Sequence, residues 1–187
     1  MPPNCVFQTD DLSLPWNFAY KFQYIHARDM FCCFPRNVHI FTEAYKALAA
    51  GGFFEIQDII FDFKSHDGSL EDSALEDWAE KLKNAFWSKG IDLTCASKYE
   101  DYIEAVGFEN VQHEKFIWPV GMWPEEEHLK NLGRLCQENI CSMLDAISIV
   151  ALTECGPDSM SEADVNVLLA KVQRDLYNPR IHAYLEV

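Results

Sequence analysis

The sequence has no phosphate-cradling loop and no excess of positive charge. It also has no unbroken apolar stretch long enough to span a bilayer, and no regular cysteine spacing. Its eight glycines stand at 51, 52, 68, 90, 107, 121, 133 and 156, and none forms a G-x-G. That removes the usual loop whose backbone amides hold a nucleotide-type cofactor. A formal charge of −15 repels phosphate backbones and anionic lipid, which excludes nucleic acid and membrane surfaces as partners. The acids are scattered rather than gathered in a tail, so they read as a solvated surface. No apolar run approaches the roughly 20 residues of a membrane span. Residues 1–11, "MPPNCVFQTDD", lack the basic and apolar parts of a signal peptide.

The seven cysteines are odd in number. Cys32 and Cys33 are adjacent and Cys136 and Cys141 are five apart, so neither pair has zinc-ligand spacing, and His113 and His128 have no partner at ligand spacing either. A cytoplasmic protein with reduced thiols filling core positions, and with no metal site, is the expectation.

What is present is a globular composition: 49% hydrophobic and 13% aromatic residues in a chain of 187, enough for one sizeable core. "CVFQ" (5–8) is a short strand candidate, and "FQYIHA" (22–27) alternates as a strand should. "RNVHIFTEAYKALAA" (36–50) sets Val38, Phe41, Ala44, Tyr45 and Leu48 on one helical face. Gly51 and Gly52 then cap that helix, and 53–58 forms the next strand. A second amphipathic helix covers 71–90, with Leu75, Trp78, Leu82 and Phe86 in its stripe and Gly90 as cap. Ser97 and Glu100 form a capping box for a helix from Tyr99 to Val106, closed by Gly107. The last clear strand is 110–118. One long helix or two follow over 123–155, with Pro124 at the first position, and Ser161 with Asp164 starts a final helix reaching Tyr177. Strands alternating with helices predict an α/β fold with a helical segment appended.

His26 and Arg28 close one strand and Gln57 and Asp58 close the next. In a parallel pair these carboxyl ends are neighbours, so the four groups are expected to converge on one pocket. There His26 beside Asp58 could move a proton, and Arg28 could hold a carboxylate or enolate oxygen, against the plainer alternative of local pairing. Trp118, Met122 and Trp123 offer an apolar surface to a ligand, or simply pack. Cys32-Cys33 fill core.

"NCVFQTDDLSLPW", "FQYIHARDM", "AYKALAAGGFFEIQDI", "DLTCASKYEDYIEAVGFENVQHEKFIWPVGMWP" and "NPRIHAY" occur in this order. Together they resemble the class I S-adenosylmethionine-dependent methyltransferases, in the fungal branch associated with secondary-metabolite clusters and their regulators. The resemblance implies a Rossmann-like α/β core over 1–120 and a helical lid over 121–178, all in one domain of 1–187. Asp10 and Asp11 match the family's adenine-contacting acids. His182 and Tyr184 match a family motif, for which a structural part is expected. Against the family pattern, the strands that carry the glycine-rich loop and the ribose-binding acid are missing ahead of Met1, and the last antiparallel strand is missing after "IHAYLEV".

Three readings stay open. One is a cofactor-free cyclase or isomerase, pericyclic in one form, acting on a small apolar natural-product intermediate. Another is an S-adenosylmethionine-dependent methyltransferase completed by a partner chain. The third is a non-catalytic binding subunit. A homodimer, with or without exchanged elements, is expected to cover the open edge of the strand at 22–27.

Overall fold

A computed structural model describes residues 2–33, 39–156 and 159–187. Two small sheets divide the strands. β1 (Phe22–Arg28) pairs in parallel with β2 (Leu48–Gln57), His26 opposite Glu55 and Arg28 opposite Gln57. The crossover between them carries α1 (His39–Ala47). The second sheet has the order β3-β5-β4, with β3 (Ile60–Lys64) and β4 (Ile117–Pro119) both antiparallel to β5 (Tyr184–Glu186) between them. Helices α2 (Ala74–Ser88), α3 (Tyr99–Val106), α4 (Glu127–Glu154) and α5 (Glu162–Leu176) complete the fold.

Local chemistry explains the clearest boundaries. Ser73 accepts from the amide of Glu76 and starts α2, while Ser161 accepts from Asp164 and starts α5. Gly90 and Gly107 take the left-handed backbone after α2 and α3. In α2 the stripe Leu75, Trp78 and Leu82 is fully buried. The Trp78 indole N–H donates to the Ser148 hydroxyl of α4 at 2.8 Å, satisfying two polar groups inside the core.

Several expectations are corrected. Residues 5–8 form no strand, and Val6 and Phe7 are exposed. Helix α1 ends at Ala47, and Gly51 and Gly52 lie inside β2 rather than capping a helix. Gly51 has φ +76, and the ladder slips between Phe22 and Tyr24, so the pair marks a bulge. Position 38, assigned to the helical face, lies with 34–37 outside the described residues. The capping box at Ser97 does not form. A 3₁₀ turn (Cys95–Lys98) leads into α3, and the Ser97 hydroxyl donates to Thr94 O. Of 110–118, only Ile117 and Trp118 enter a strand. The long helix begins at Glu127, so Pro124 is not its first residue. The residues "YLE" (184–186) themselves form an antiparallel strand, which corrects the reading of the chain end as lacking one.

The apolar side chains gather in two clusters. The larger joins β3 and β5 with α2, α4 and α5, so the helical segment packs into the main core. The smaller holds Ile40, Phe41 and Tyr99, with Phe54 and Ile56 of β2 against it. Helix α4 is the one helix among the described residues long and apolar enough to cross a membrane by length and composition. Its face from Gly133 through Leu152 is buried against α2 and α5.

Helix α4 also makes the closest backbone approach. The Gly121 amide donates to Gly133 O at 3.0 Å, and a Cβ added to Gly133 would stand 2.0 Å from Gly121 O. In an ordinary helix interior, glycine to alanine stabilises by about 1 kcal/mol. Here the sign should reverse, because main chain has nowhere to retreat. Gly133→Ala is expected to destabilise by about 1–3 kcal/mol, the usual range for overpacking, read as a lowered urea midpoint at unchanged slope.

Candidate functional site

The parallel pair presents two unlike faces. Alternation puts Tyr24, His26, Arg28, Phe53, Glu55 and Gln57 on an exposed face, and Ile25, Ala27, Phe54, Ile56 and Asp58 on the face turned to α1 and α3. His26 stacks on Tyr24 with ring centres 6.2 Å apart. Tyr24 and Gln57 both donate to the carboxylate of Glu55. Arg28 pairs with Asp29 at 3.5 Å, both exposed. The expected convergence is therefore corrected: His26 and Arg28 do not meet Asp58, because odd and even positions on a strand point to opposite sides.

Asp58 is buried and fully engaged. Its Oδ2 accepts from the Tyr99 hydroxyl at 2.8 Å and from the Met30 amide at 3.1 Å, and its Oδ1 accepts from the Ile59 amide at 3.0 Å. Burial raises its pKa, and these bonds oppose the rise. Tyr99 is pushed up in turn by burial and by the Asp58 carboxylate. The Cys95 thiol lies 3.4 Å from the Tyr99 oxygen, donates to Phe31 O, and is raised by burial. Burial also pushes Cys136 up to about 12 and Cys32 up to about 11, which suits packing and not nucleophilic attack. All seven cysteines are free.

Asp58 and Gln57 border a cleft of about 600 Å³ along the outer edge of β2. Ile56, Tyr99, Ile103 and Trp118 give it apolar walls, and residues 111–116 face β2 across it. Of the expected ligand contacts, Gln57 and Trp118 lie here. Met122 and Trp123 instead line a separate hollow of about 240 Å³ with Arg134, Gln137, Tyr177 and Pro179.

A pair that sequence reading did not identify stands at the other end of the second sheet. His182 Nδ1 is 2.7 Å from Asp67 Oδ2, and the Trp123 ring lies 5.1 Å from the imidazole. The two partners are 115 residues apart, so no local pattern signals them.

No group of His, Cys, Asp or Glu among the described residues could hold a metal. For S-adenosylmethionine the fit is poor within the described residues. The Asp11 carboxylate is turned onto the amide and hydroxyl of Ser13, and that of Asp10 onto the Asp11 amide. Neither borders the cleft.

A crossover-linked parallel pair and a separate three-stranded antiparallel sheet make this a mixed α/β fold with small sheets. The proteins this chain is similar to are fungal methyltransferases of secondary metabolism, a likeness that implies a Rossmann-like core. It is 28% identical over 180 residues to "Probable methyltransferase tdiE" of Emericella nidulans, covering 95% of this chain and 55% of that protein. It is 27% identical over 186 residues to "Methyltransferase pytC" of Aspergillus terreus, covering 99% and 57%. It is 25% identical over 186 residues to "Secondary metabolism regulator laeA" of Monascus pilosus, covering 98% and 50%. The chain thus spans about half the length of the curated relatives it matches. No family model matches it, and no solved structure matches it significantly.

Tyr99→Phe removes a donor from a buried carboxylate, a loss of about 1.5–3 kcal/mol for a hydrogen bond to a charged group. Asp58 has its pKa raised on folding, so its ionisation costs stability above that pKa, and Tyr99 offsets part of this cost. The variant should be less stable than wild type at pH 7, with the gap closing as pH falls through the raised pKa of Asp58. Urea unfolding of both proteins across that range checks it; a gap independent of pH would refute the assignment.

Proposed function

We propose that this chain forms the substrate-binding surface of a methyltransferase-like protein acting on an apolar intermediate of fungal secondary metabolism. The carrying observation is the cleft beside the carboxyl end of β2, where Ile56, Ile103, Tyr99 and Trp118 face Gln57 and the fixed Asp58 carboxylate. Apolar walls with a few oriented polar groups suit a small planar ligand. The similarity to named methyltransferases supports methyl transfer as the chemistry, with S-adenosylmethionine held by residues outside those described here or by a partner chain. The helical segment over 121–178 packs into the core and does not border this cleft, so in this reading it supports the sheet and does not act as the lid. The free cysteines suit the cytoplasm.

A second reading is favoured by the state of Asp58. With both its oxygens engaged, Asp58 itself is no proton carrier, so a cofactor-free reaction there would be a cyclisation driven by shape. The His113–Glu100 pair, 3.2 Å apart in the cleft lining, is its one imidazole–carboxylate pair among the described residues. Exposed His26 and Arg28 then have no part in bond making.

Calorimetry of the protein with S-adenosylmethionine and its demethylated product separates these readings. Micromolar binding supports methyl transfer; no heat at millimolar ligand leaves the shape-driven reaction or simple binding. In either case Trp118→Ala should weaken binding of an apolar polyketide-like probe about tenfold or more, since losing one large aromatic contact is worth at least 1.4 kcal/mol. Unchanged affinity would move the ligand out of this cleft.

Assembly belongs to the same proposal. β1 has β2 on one side and no strand on its other side among the described residues, and an open edge favours pairing with a second copy. A homodimer across β1 should bury more than about 1,000 Å². Light scattering at micromolar concentration should give twice the 21.5 kDa chain mass; a monomer would refute the dimer.

A further inference from the structure

The pair formed by His182 and Asp67 lies away from the cleft, where β3 and β4 end and β5 begins. Four features of its geometry go beyond a surface ion pair. A carboxylate oxygen can only accept, so the 2.7 Å contact places the hydrogen on Nδ1 and, in the neutral ring, the lone pair on Nε2. Asp67 is itself oriented: its Oδ1 accepts from the Ser69 amide at 3.0 Å, and the Ser69 hydroxyl accepts from the His182 amide at 2.8 Å. Trp123 packs its ring against the imidazole and donates its indole N–H to Ala183 O at 3.0 Å, which fixes that wall. Two residues on, Tyr184 stacks with His66 at 4.6 Å.

Among the described residues Nε2 has no hydrogen-bond partner, and the His182 side chain is 41% exposed. The lone pair is therefore directed where a ligand can reach it. The ionisable group in contact with the ring is Asp67 from the loop after β3, while His66 and Tyr184, near neighbours in the chain, stack on each other. Hydrogen bonds from Ser69, and then from His182, hold Asp67 at about 2, so it stays ionised at neutral pH. An oriented imidazole with an ionised carboxylate behind it is the usual arrangement of a general base for a hydroxyl, and the Trp123 ring beside it offers a flat apolar surface.

We propose that His182, oriented by Asp67 and flanked by Trp123, binds and deprotonates the hydroxyl of a planar phenol or enol. In the step, the ligand's O–H proton moves to Nε2, giving an imidazolium beside a phenolate or enolate. The Nδ1 hydrogen stays between His182 and Asp67, so Asp67 is a positioning residue and remains charged. One bond to hydrogen breaks and one forms, and no other reactant is needed. The site does not depend on the cleft beside β2 or on any cofactor.

The probe is 4-nitrophenol, whose anion is coloured, in buffer below its own pKa. Wild-type protein should generate a saturable nitrophenolate band. His182→Gln should abolish the band, and Asp67→Asn should reduce it several-fold because the ring is then free to change tautomer. His128→Gln, which removes an exposed imidazole from α4, should leave it at wild-type strength. The His182 amide bond to Ser69 does not involve either replaced side chain, and circular dichroism confirms that the variants are folded. No band with wild type, or an equal band with His182→Gln, overturns the proposal. A fall in melting temperature in both variants with the band unchanged also overturns it and makes the pair a structural tie.

Discussion

The buried carboxylate of Asp58 is the point on which the two halves of this fold depend. It follows β2 directly and receives the amide of Met30, the amide of Ile59 and the hydroxyl of Tyr99. Those donors belong to the turn after β1, to the next residue in the chain just ahead of β3, and to the first residue of α3, so one side chain at the link between the two sheets ties the end of β1 to a helix. Left unpaired, a buried carboxylate would be too costly to keep ionised. With three donors in place, it holds strand ends that pack into different apolar clusters.

The surrounding residues follow from that junction. Asp29 takes a left-handed backbone, φ 53, and its amide extends the ladder by donating to Gln57 O at 3.1 Å. The chain then turns back far enough to offer the Met30 amide to Asp58. Cys95 packs against both apolar clusters and touches the Tyr99 oxygen as well as Phe31 O. A thiol is small and weakly polar, and so suits a position that must join two cores without demanding strong hydrogen bonds. The stability of the smaller cluster is thereby tied to the larger one, although only a few side chains connect them.

Elements with their own local signal were legible in the sequence. Helix α5 forms where the Ser161 cap places it, and α2 forms within the 71–90 stretch that its apolar stripe marks, beginning only at Ala74 behind a Ser73 cap. The parallel pair was legible from alternation and from the crossover between its strands. What escaped has tertiary causes. β3 and β5 are five and three residues long and exist through pairing with each other, a contact between residues over a hundred positions apart. The run over 111–116 has apolar residues only at its two ends, and of it only Phe116 finds a backbone partner among the described residues, exchanging amide–carbonyl bonds with Val187. Pairing His26 with Asp58 failed on parity: the carboxyl ends are adjacent, but the two residues face opposite sides of the strand pair.

The motifs that carry the resemblance to methyltransferases turn out, in this molecule, to hold the chain together more than to perform chemistry. In "GGFFEIQDI", Gly52 lies where a Cβ would stand 3.0 Å from Gln23 O and from Ala49 O, and Asp58 is the junction described above. In "SKYEDYI", Tyr99 completes that junction. Residues with such roles preserve a fold whatever reaction it hosts, so similarity through them transfers architecture more securely than activity. "NPRIHAY" differs. Ile181, Ala183 and Tyr184 are buried, but His182 between them is oriented through one ring nitrogen and leaves the other facing outward. Within these motifs, His182 is where the fold supports a reactive group without using it up.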